Sequence, residues 1–267
     1  MKTSTTIEQA LGAAAPGATI GPDRSWWGFG GVHGGLALGL LTTAMRARAQ
    51  GRILRQVSGH FRRALREPFE LDVPEQGAGR MLSWLDARAL ENGRIALSAT
   101  AVFAEPGERN GHALAPPMPA APPPSECPVF TVPGAFAPFS RHTEIRPVGS
   151  ARPFGGGAEP ELMAWLRLVG DERPPDEARL VLLMDALAPS YAAVLDTPVA
   201  MPTLSLSVMP GCDLAAAASP WLLLRARTDA CGRDGWLRER LDAWAPDGTY
   251  LGSGEQLRVV MDGRAGA

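Results

Sequence analysis

Two segments of the chain combine high apolar content with a helical pattern. Residues 36–48 are almost wholly apolar over two turns and then carry arginines, whose positive charge suits the C-terminal end of a helix. Residues 177–188 follow Asp176 and begin with Glu177, and from Ala178 onward they are apolar on every side apart from Arg179 and Asp185. Because a helix that is apolar all round is normally buried, the pattern predicts one buried helix in each half of the chain.

Alternating polar and apolar positions predict strands after each helix. The extended segments are 55–61, 69–73, 80–90 and 94–104 in the first half, and 203–209, 221–228, 236–244 and 249–260 in the second. The last two segments of each half flank a hairpin signal, Asn92-Gly93 and Asp247-Gly248 respectively. The order of helix, strand, strand and hairpin therefore occurs twice, which predicts an α+β arrangement of two helices, each wrapped by an antiparallel sheet.

Superposing the two copies pairs specific positions. When the hairpin turns are aligned, Ala101 falls opposite Gln256. When the first strands after the helices are aligned, Gln56 falls roughly opposite Thr203. The copies are weakly similar in residue identity but consistent in the order of their elements.

A proline-rich stretch separates the copies. Residues 115–124 cannot form a helix or a central strand, because proline lacks the N–H group and fixes φ. We interpret this stretch as part of a linker with polyproline character, followed at its far end by a strand at 142–147. The predicted organisation is an N-terminal unit at 1–104, a linker at 105–148 and a C-terminal unit at 149–267.

Composition narrows the class of protein. The net charge is −2 and Lys and Arg form no block, which gives no electrostatic case for binding nucleic acid or an anionic membrane. No apolar run is long enough to span a bilayer, and the first residues lack the apolar core of a signal peptide. The cysteines Cys127, Cys212 and Cys231 are widely spaced and form no metal-binding pair. We expect a cytoplasmic protein that uses neither a metal nor a cofactor.

Two features carry candidate chemistry. Asp185 lies in an apolar helical segment, where a carboxylate is costly unless donors satisfy it. It caps or ends the helix, or reaches solvent past Pro189, or acts as a general base. The glycine-rich residues 30–35 either let a helix start pack closely or present N–H groups to a carbonyl oxygen or phosphate. Among the histidines, His33 adjoins this helix start.

The chain resembles a known family over about residues 18–260. The resemblance is carried by the proline-rich linker, the second copy, and two motifs, Trp26-Trp27-Gly28 with Gly30-Gly31-Val32-His33-Gly34-Gly35, and His60-Phe61-Arg62-Arg63-Ala64-Leu65-Arg66-Glu67-Pro68. These features are similar to those of the double-hotdog acyl-CoA thioesterases of the acyl-CoA thioesterase II type. The resemblance implies a double hotdog, with two antiparallel sheets each wrapped around a long central helix.

The same resemblance implies a catalytic set in the second half. The family has an Asp on the central helix, a Thr or Ser on the next strand and a Gln on the last strand, and the matching residues are Asp185, Thr203 and Gln256. Ser205 departs from the family, in which an acidic residue is frequent two positions after the Thr.

The expected reaction is hydrolysis of an acyl-CoA, or of an acyl group on a carrier protein. Asp185 would take the proton of a water that Thr203 and Gln256 orient. The helix start at His33, Gly34 and Gly35 would bind the substrate, and backbone N–H groups from one of the two helix starts would hold the developing oxyanion.

Two alternatives to hydrolysis stay open. One is a hydratase or dehydratase, which usually needs a His–acid pair. The other is a non-catalytic protein that binds acyl thioesters. We expect a monomer or a homo-oligomer of double hotdogs, because a fused pair already supplies the pairing that single hotdogs obtain by dimerising.

Overall fold

The computed structural model describes residues 6–75, 79–107, 111–112, 114–134 and 137–261. The α-helices are α1 (Ile7–Ala13), α2 (Gly34–Arg46) and α3 (Glu177–Met184). The strands of the first half are β1 (Thr19–Ile20), β2 (Ile53–Phe61), β3 (Phe69–Asp72), β4 (Leu82–Glu91) and β5 (Arg94–Ala104). Those that follow are β6 (Thr143–Pro147), β7 (Glu161–Leu168), β8 (Thr203–Pro210), β9 (Leu222–Cys231), β10 (Trp236–Trp244) and β11 (Tyr250–Val259).

All of these strands belong to one 11-stranded sheet in the order β1-β3-β4-β5-β2-β8-β11-β10-β9-β7-β6. Neighbouring strands are antiparallel, which confirms the predicted α+β class. The sequence predicted a sheet around each helix, with the two sheets continuous or adjacent. They are continuous, because β2 pairs with β8 from Val57 opposite Val208 to His60 opposite Ser205. This pairing satisfies backbone groups that would otherwise lie on two exposed edges.

Helices α2 and α3 pack against each other on the inner face of the sheet. Leu36, Leu40, Leu180 and Val181 are fully buried at 0% exposure, as expected for helices that are apolar on every side. The two helices run in opposite directions, so the N-terminus of α2 lies beside the C-terminus of α3. At the other end of the pair, Glu177 accepts a hydrogen bond from the Leu54 amide at 2.8 Å.

Helix α3 is shorter than its pattern predicted, ending at Met184 rather than at residue 188. The amides of Asp185 and Ala186 donate to the carbonyls of Leu182 and Leu183, three residues earlier, which ends the α-helical bonding, and Pro189 has no N–H with which to resume it. The Asp185 carbonyl oxygen lies 3.0 Å from the Nε2 atom of His33 instead. The end of α3 is thus tied to the start of α2.

Tryptophan side chains fasten the proline-rich segment to the second half. The indole of Trp165 donates to the Pro122 carbonyl at 2.8 Å, and that of Trp244 donates to the Pro116 carbonyl at 3.0 Å. Further along, β6 forms the edge of the sheet beside β7. No helix in the described part of the chain is long and apolar enough to cross a membrane.

Candidate active site

Asp185 stands at the C-cap of α3, and its side chain is only 9% exposed. Its Oδ1 atom accepts hydrogen bonds from Gln256 Nε2 at 2.6 Å and from Thr203 Oγ1 at 3.4 Å. Its Oδ2 atom accepts from the Gly35 amide at 2.8 Å. Asp185 therefore both ends the helix and forms a buried acceptor. The three residues matched to the family's catalytic set meet at this one carboxylate.

A β-bulge aims Thr203 at the site. Simple alternation along β8 would place Thr203 on the same face as Ser205 and Ser207. The register shifts by one residue at Leu204, so that Ser205 pairs with Leu257 while Thr203 pairs with Arg258. A bulge changes the face to which a side chain points, and here it turns the Thr203 hydroxyl inward.

Gln256 belongs to a buried polar network that the sequence did not reveal. Its Oε1 atom accepts a hydrogen bond from the Arg258 guanidinium, while its Nε2 atom donates to Asp185. The Nε atom of Arg258 donates to Glu239 Oε2 at 2.8 Å, and Glu239 Oε1 accepts from the Ser190 amide at 2.5 Å. Spacing was the available signal, because Arg258 follows Gln256 by two positions and so faces the same side of the strand.

His33 caps the N-terminus of α2 and is held in one tautomer. Its Nδ1 atom accepts from the Leu36 amide at 3.3 Å, so the proton resides on Nε2, which donates to the Asp185 carbonyl. Its ring stacks on Phe139, with centroids 3.9 Å apart. Burial lowers the pKa of the His33 imidazole below its ordinary value of 6.5, outweighing the opposing effect of Asp185. His33 is therefore neutral near pH 7.

Two glycines permit the close approach of α2 to Asp185. A Cβ atom on Gly35 would lie 2.6 Å from the Leu182 carbonyl oxygen, and one on Gly34 would lie 3.0 Å from Asp185 Oδ2. The Gly35 amide donates to Asp185, whereas the Leu36 and Ala37 amides donate to the Nδ1 atom and the carbonyl of His33. The structure thus places both residues at the site, with Gly35 used to hold the carboxylate.

The two halves differ sharply at matching positions. When the bulges in β2 and β8 are taken into account, Leu54 matches Thr203 and Gln56 matches Ser205. The predicted superposition of Gln56 on Thr203 was therefore wrong by two residues, one of which is the bulge residue. Ala101 matches Gln256, as the hairpin superposition predicted. The site therefore occupies the second half, with the helix start contributed by the first.

The described residues contain no cluster of metal-binding side chains. Among the residues that the structure describes, no group of three or more His, Cys, Asp or Glu side chains is placed to hold a metal ion.

Comparison with solved structures identifies the fold. A protein of unknown function with a hotdog fold from Alicyclobacillus acidocaldarius matches with a TM-score of 0.83 and 22% identity, over 96% of this chain and 99% of that one. A proposed thioesterase II from Thermobifida fusca YX matches with a TM-score of 0.79 and 22% identity, over 98% and 99%. The acyl-CoA thioesterase II TesB2 from Mycobacterium marinum matches with a TM-score of 0.66 and 21% identity, over 85% and 88%. The chain is a hotdog protein.

Family models carry the identification further. The model of the acyl-CoA thioesterase N-terminal domain matches residues 23–104, and that of the C-terminal domain matches residues 115–260. The chain belongs to the acyl-CoA thioesterase family, which confirms the resemblance seen in the sequence. None of the curated protein sequences compared with the chain matches it.

Proposed function

We propose that this protein hydrolyses acyl-CoA thioesters with a water molecule activated by Asp185, Thr203 and Gln256. The observation that carries the proposal is the convergence of the Gln256 amide, the Thr203 hydroxyl and the Gly35 amide on one buried carboxylate. We also propose that residues 1–104 and 149–267 are the two halves of a double hotdog joined by residues 105–148.

The proposed reaction needs no covalent intermediate. Asp185 accepts a proton from water as the water oxygen attacks the thioester carbonyl carbon. The C–S bond then breaks, and the proton passes to the departing thiolate, which leaves as the free thiol. Asp185 Oδ2 accepts one hydrogen bond, from Gly35, and has a second lone pair that can take the water proton. The Gly34 amide is the proposed donor to the oxyanion.

Thr203 and Gln256 would act by fixing the position of the water. The distance of 3.4 Å between Thr203 Oγ1 and Asp185 Oδ1 is long for a hydroxyl–carboxylate hydrogen bond. The hydroxyl can therefore turn to a water beside the carboxylate at little cost. Gln256 Nε2 uses one N–H in a short contact of 2.6 Å that keeps the carboxylate in place, and its second N–H can donate to the same water. A positioned base and nucleophile raise the rate by removing the entropy of their encounter.

A second candidate, dehydration or hydration of an acyl thioester, is favoured by one contact. His33 Nε2 lies 3.8 Å from Asp185 Oδ2, so the first half supplies the histidine that the second half lacks near the site. Both nitrogens of His33 are engaged, however, one by the Leu36 amide and one by the Asp185 carbonyl. The ring must therefore break a hydrogen bond before it can transfer a proton, which makes hydrolysis the better-supported reaction.

The experiment is thiol release measured over acyl-CoAs of different chain length, alongside hydration of an enoyl-CoA. Hydrolysis of at least one acyl-CoA without hydration supports the proposal. Hydration without thiol release would assign the second candidate. Binding of acyl-CoA by calorimetry with neither reaction would show a non-catalytic binding protein. The same panel with acyl-carrier thioesters distinguishes the two carriers.

A further inference from the structure

A buried ion pair of Glu239 and Arg258 lies beside Gln256. Glu239 on β10 is 1% exposed and Arg258 on β11 is 6% exposed. The Arg258 Nε atom donates to Glu239 at 2.8 Å, and its NH2 group donates to Gln256 and lies 3.7 Å from Asp185 Oδ1. The pair is therefore in direct contact with a residue of the candidate site.

The fold itself does not require an ion pair at this location. In the first half, Leu85 pairs with Ala101 as Glu239 pairs with Gln256, and Phe103 follows Ala101 by two positions as Arg258 follows Gln256. Leu85 is 4% exposed and Phe103 is 0% exposed. The same architecture thus holds an apolar pair where the first half has no carboxylate site. Burying charges is costly, and apolar replacements of buried ion pairs are often neutral or stabilising.

The ion pair determines which end of the Gln256 amide faces Asp185. The two ends of a glutamine amide are nearly equal in size, so shape alone does not select which end faces Asp185. Arginine can only donate hydrogen bonds and a carboxylate can only accept them. With Arg258 on one side and Asp185 on the other, only one orientation of Gln256 satisfies both neighbours, with Oε1 toward Arg258 and Nε2 toward Asp185.

We propose that Arg258 is a positioning residue, anchored by Glu239, that fixes the amide of Gln256 in its donating orientation toward Asp185. This inference rests on the proposed function, because Gln256 and Asp185 are the residues that it serves. The charged and titratable groups around Asp185 are Arg258 from β11, Glu239 behind it on β10, and the neutral His33 at the start of α2. Arg258 is the cation among them that contacts both Gln256 and Glu239.

The apolar residues at the matching positions of the first half define the variant that tests this inference. The double variant Glu239→Leu/Arg258→Phe installs the apolar pair of the first half and leaves no unpaired buried charge. We expect it to fold with a melting temperature close to that of the wild type. We expect kcat to fall roughly tenfold to a hundredfold with little change in KM, because the water is held less accurately.

Arg258→Lys tests geometry separately from charge. Lysine keeps the cation near Glu239 but lacks the fixed planar fork of arginine. We expect kcat to fall with little change in KM, although the charge is retained. Arg52→Lys is the matched control, since Arg52 is a buried arginine 6% exposed that contacts Ser83 and Glu105 in the first half. It should change stability without changing kcat or KM.

A readout that does not depend on activity separates this inference from the proposed function. In protein labelled with 15N on glutamine side chains, the Gln256 NH2 signal should shift when Asp185→Asn is introduced into the wild type, because the acceptor of its hydrogen bond is removed. The same substitution should shift the signal much less in the double variant. A folded double variant with unchanged kcat and an unchanged Gln256 signal would overturn the inference. Wild-type protein that shows the NMR behaviour but hydrolyses no thioester would overturn the proposed function alone.

Discussion

Replacing Gly35 with alanine should separate activity from stability. An added Cβ would lie 2.6 Å from the Leu182 carbonyl oxygen and 2.7 Å from the Asp185 Cβ atom, whereas ordinary contact begins at 3.4 Å. The neighbouring segment must therefore retreat by about 0.8 Å, the difference between 3.4 Å and 2.6 Å. Because Leu182 and Asp185 belong to the last turn of α3 and its cap, this retreat displaces the carboxylate from α2.

The effects on stability partly cancel, whereas the effect on activity does not. Overpacking of this kind costs roughly 1–3 kcal/mol. Alanine regains up to about 1 kcal/mol over glycine within a helix. The free energy of unfolding should thus fall by roughly 0–3 kcal/mol, so the variant remains folded. A displacement approaching 1 Å at the reacting groups costs on the order of a hundredfold in rate, so kcat/KM should fall by about that factor.

Gly39→Ala is the matched control on the same helix. Its Cβ would lie 3.0 Å from the Ala178 carbonyl oxygen, against the first turn of α3 and far from Asp185. Thiol-release kinetics and urea denaturation of both variants provide the comparison. Gly39→Ala should keep near-wild-type kcat/KM. Full activity in a folded Gly35→Ala variant would refute the claim that the close approach of the two helices sets the position of the carboxylate.

Further predictions concern the partners of Asp185 and the pH dependence of stability. Thr203→Ala and Gln256→Ala should each lower kcat/KM by less than removal of the Asp185 base does. Because both residues orient one water, kcat/KM of the double variant should fall by less than the product of the two single effects. Effects that multiply would show independent roles. Burial lowers the pKa of His33 below 6.5 in the folded protein, so the unfolded chain binds the proton more readily as the pH falls. The free energy of unfolding therefore decreases below pH 6.5, by up to about 1.4 kcal/mol per pH unit. His142, whose pKa is also lowered by burial, contributes in the same direction. His33→Asn should therefore reduce this slope in urea titrations between about pH 7 and pH 5, and an unchanged slope would contradict the neutral, buried His33.

The sequence predicted those elements for which the apolar periodicity and the turn residues indicate the same structure. Helix α2, the hairpins at Asn92-Gly93 and Asp247-Gly248, and the alternation along the strands follow from apolar periodicity and turn residues. The candidate site was reached through its match to a family, and residue types alone did not establish it. The structure then brought Asp185 and Gln256 into contact although they are 71 positions apart in the chain.

The features that the sequence did not reveal depend on contacts between distant segments. The bulge at Leu204 changes the face of Thr203, and a one-residue slip cannot be read from alternation. The end of α3 depends on Pro189 together with a histidine from the other half, which accounts for the error in its length. Arg258 and Glu239 reside on strands where charge normally indicates solvent, and only the tertiary structure shows them paired and buried.

The most direct measurement compares wild-type kcat/KM for acyl-CoA hydrolysis with that of Asp185→Asn. The neighbours of Asp185 that bond its carboxylate, Gly35, Thr203 and Gln256, are all donors, so an asparagine NH2 group must face one of them. The variant loses the proton acceptor, and kcat/KM should fall by roughly two to four powers of ten. Asp176→Asn is the control, because asparagine serves equally well at the N-cap of α3 and should leave the rate unchanged. Near-wild-type hydrolysis by a folded Asp185→Asn protein would contradict the proposed mechanism.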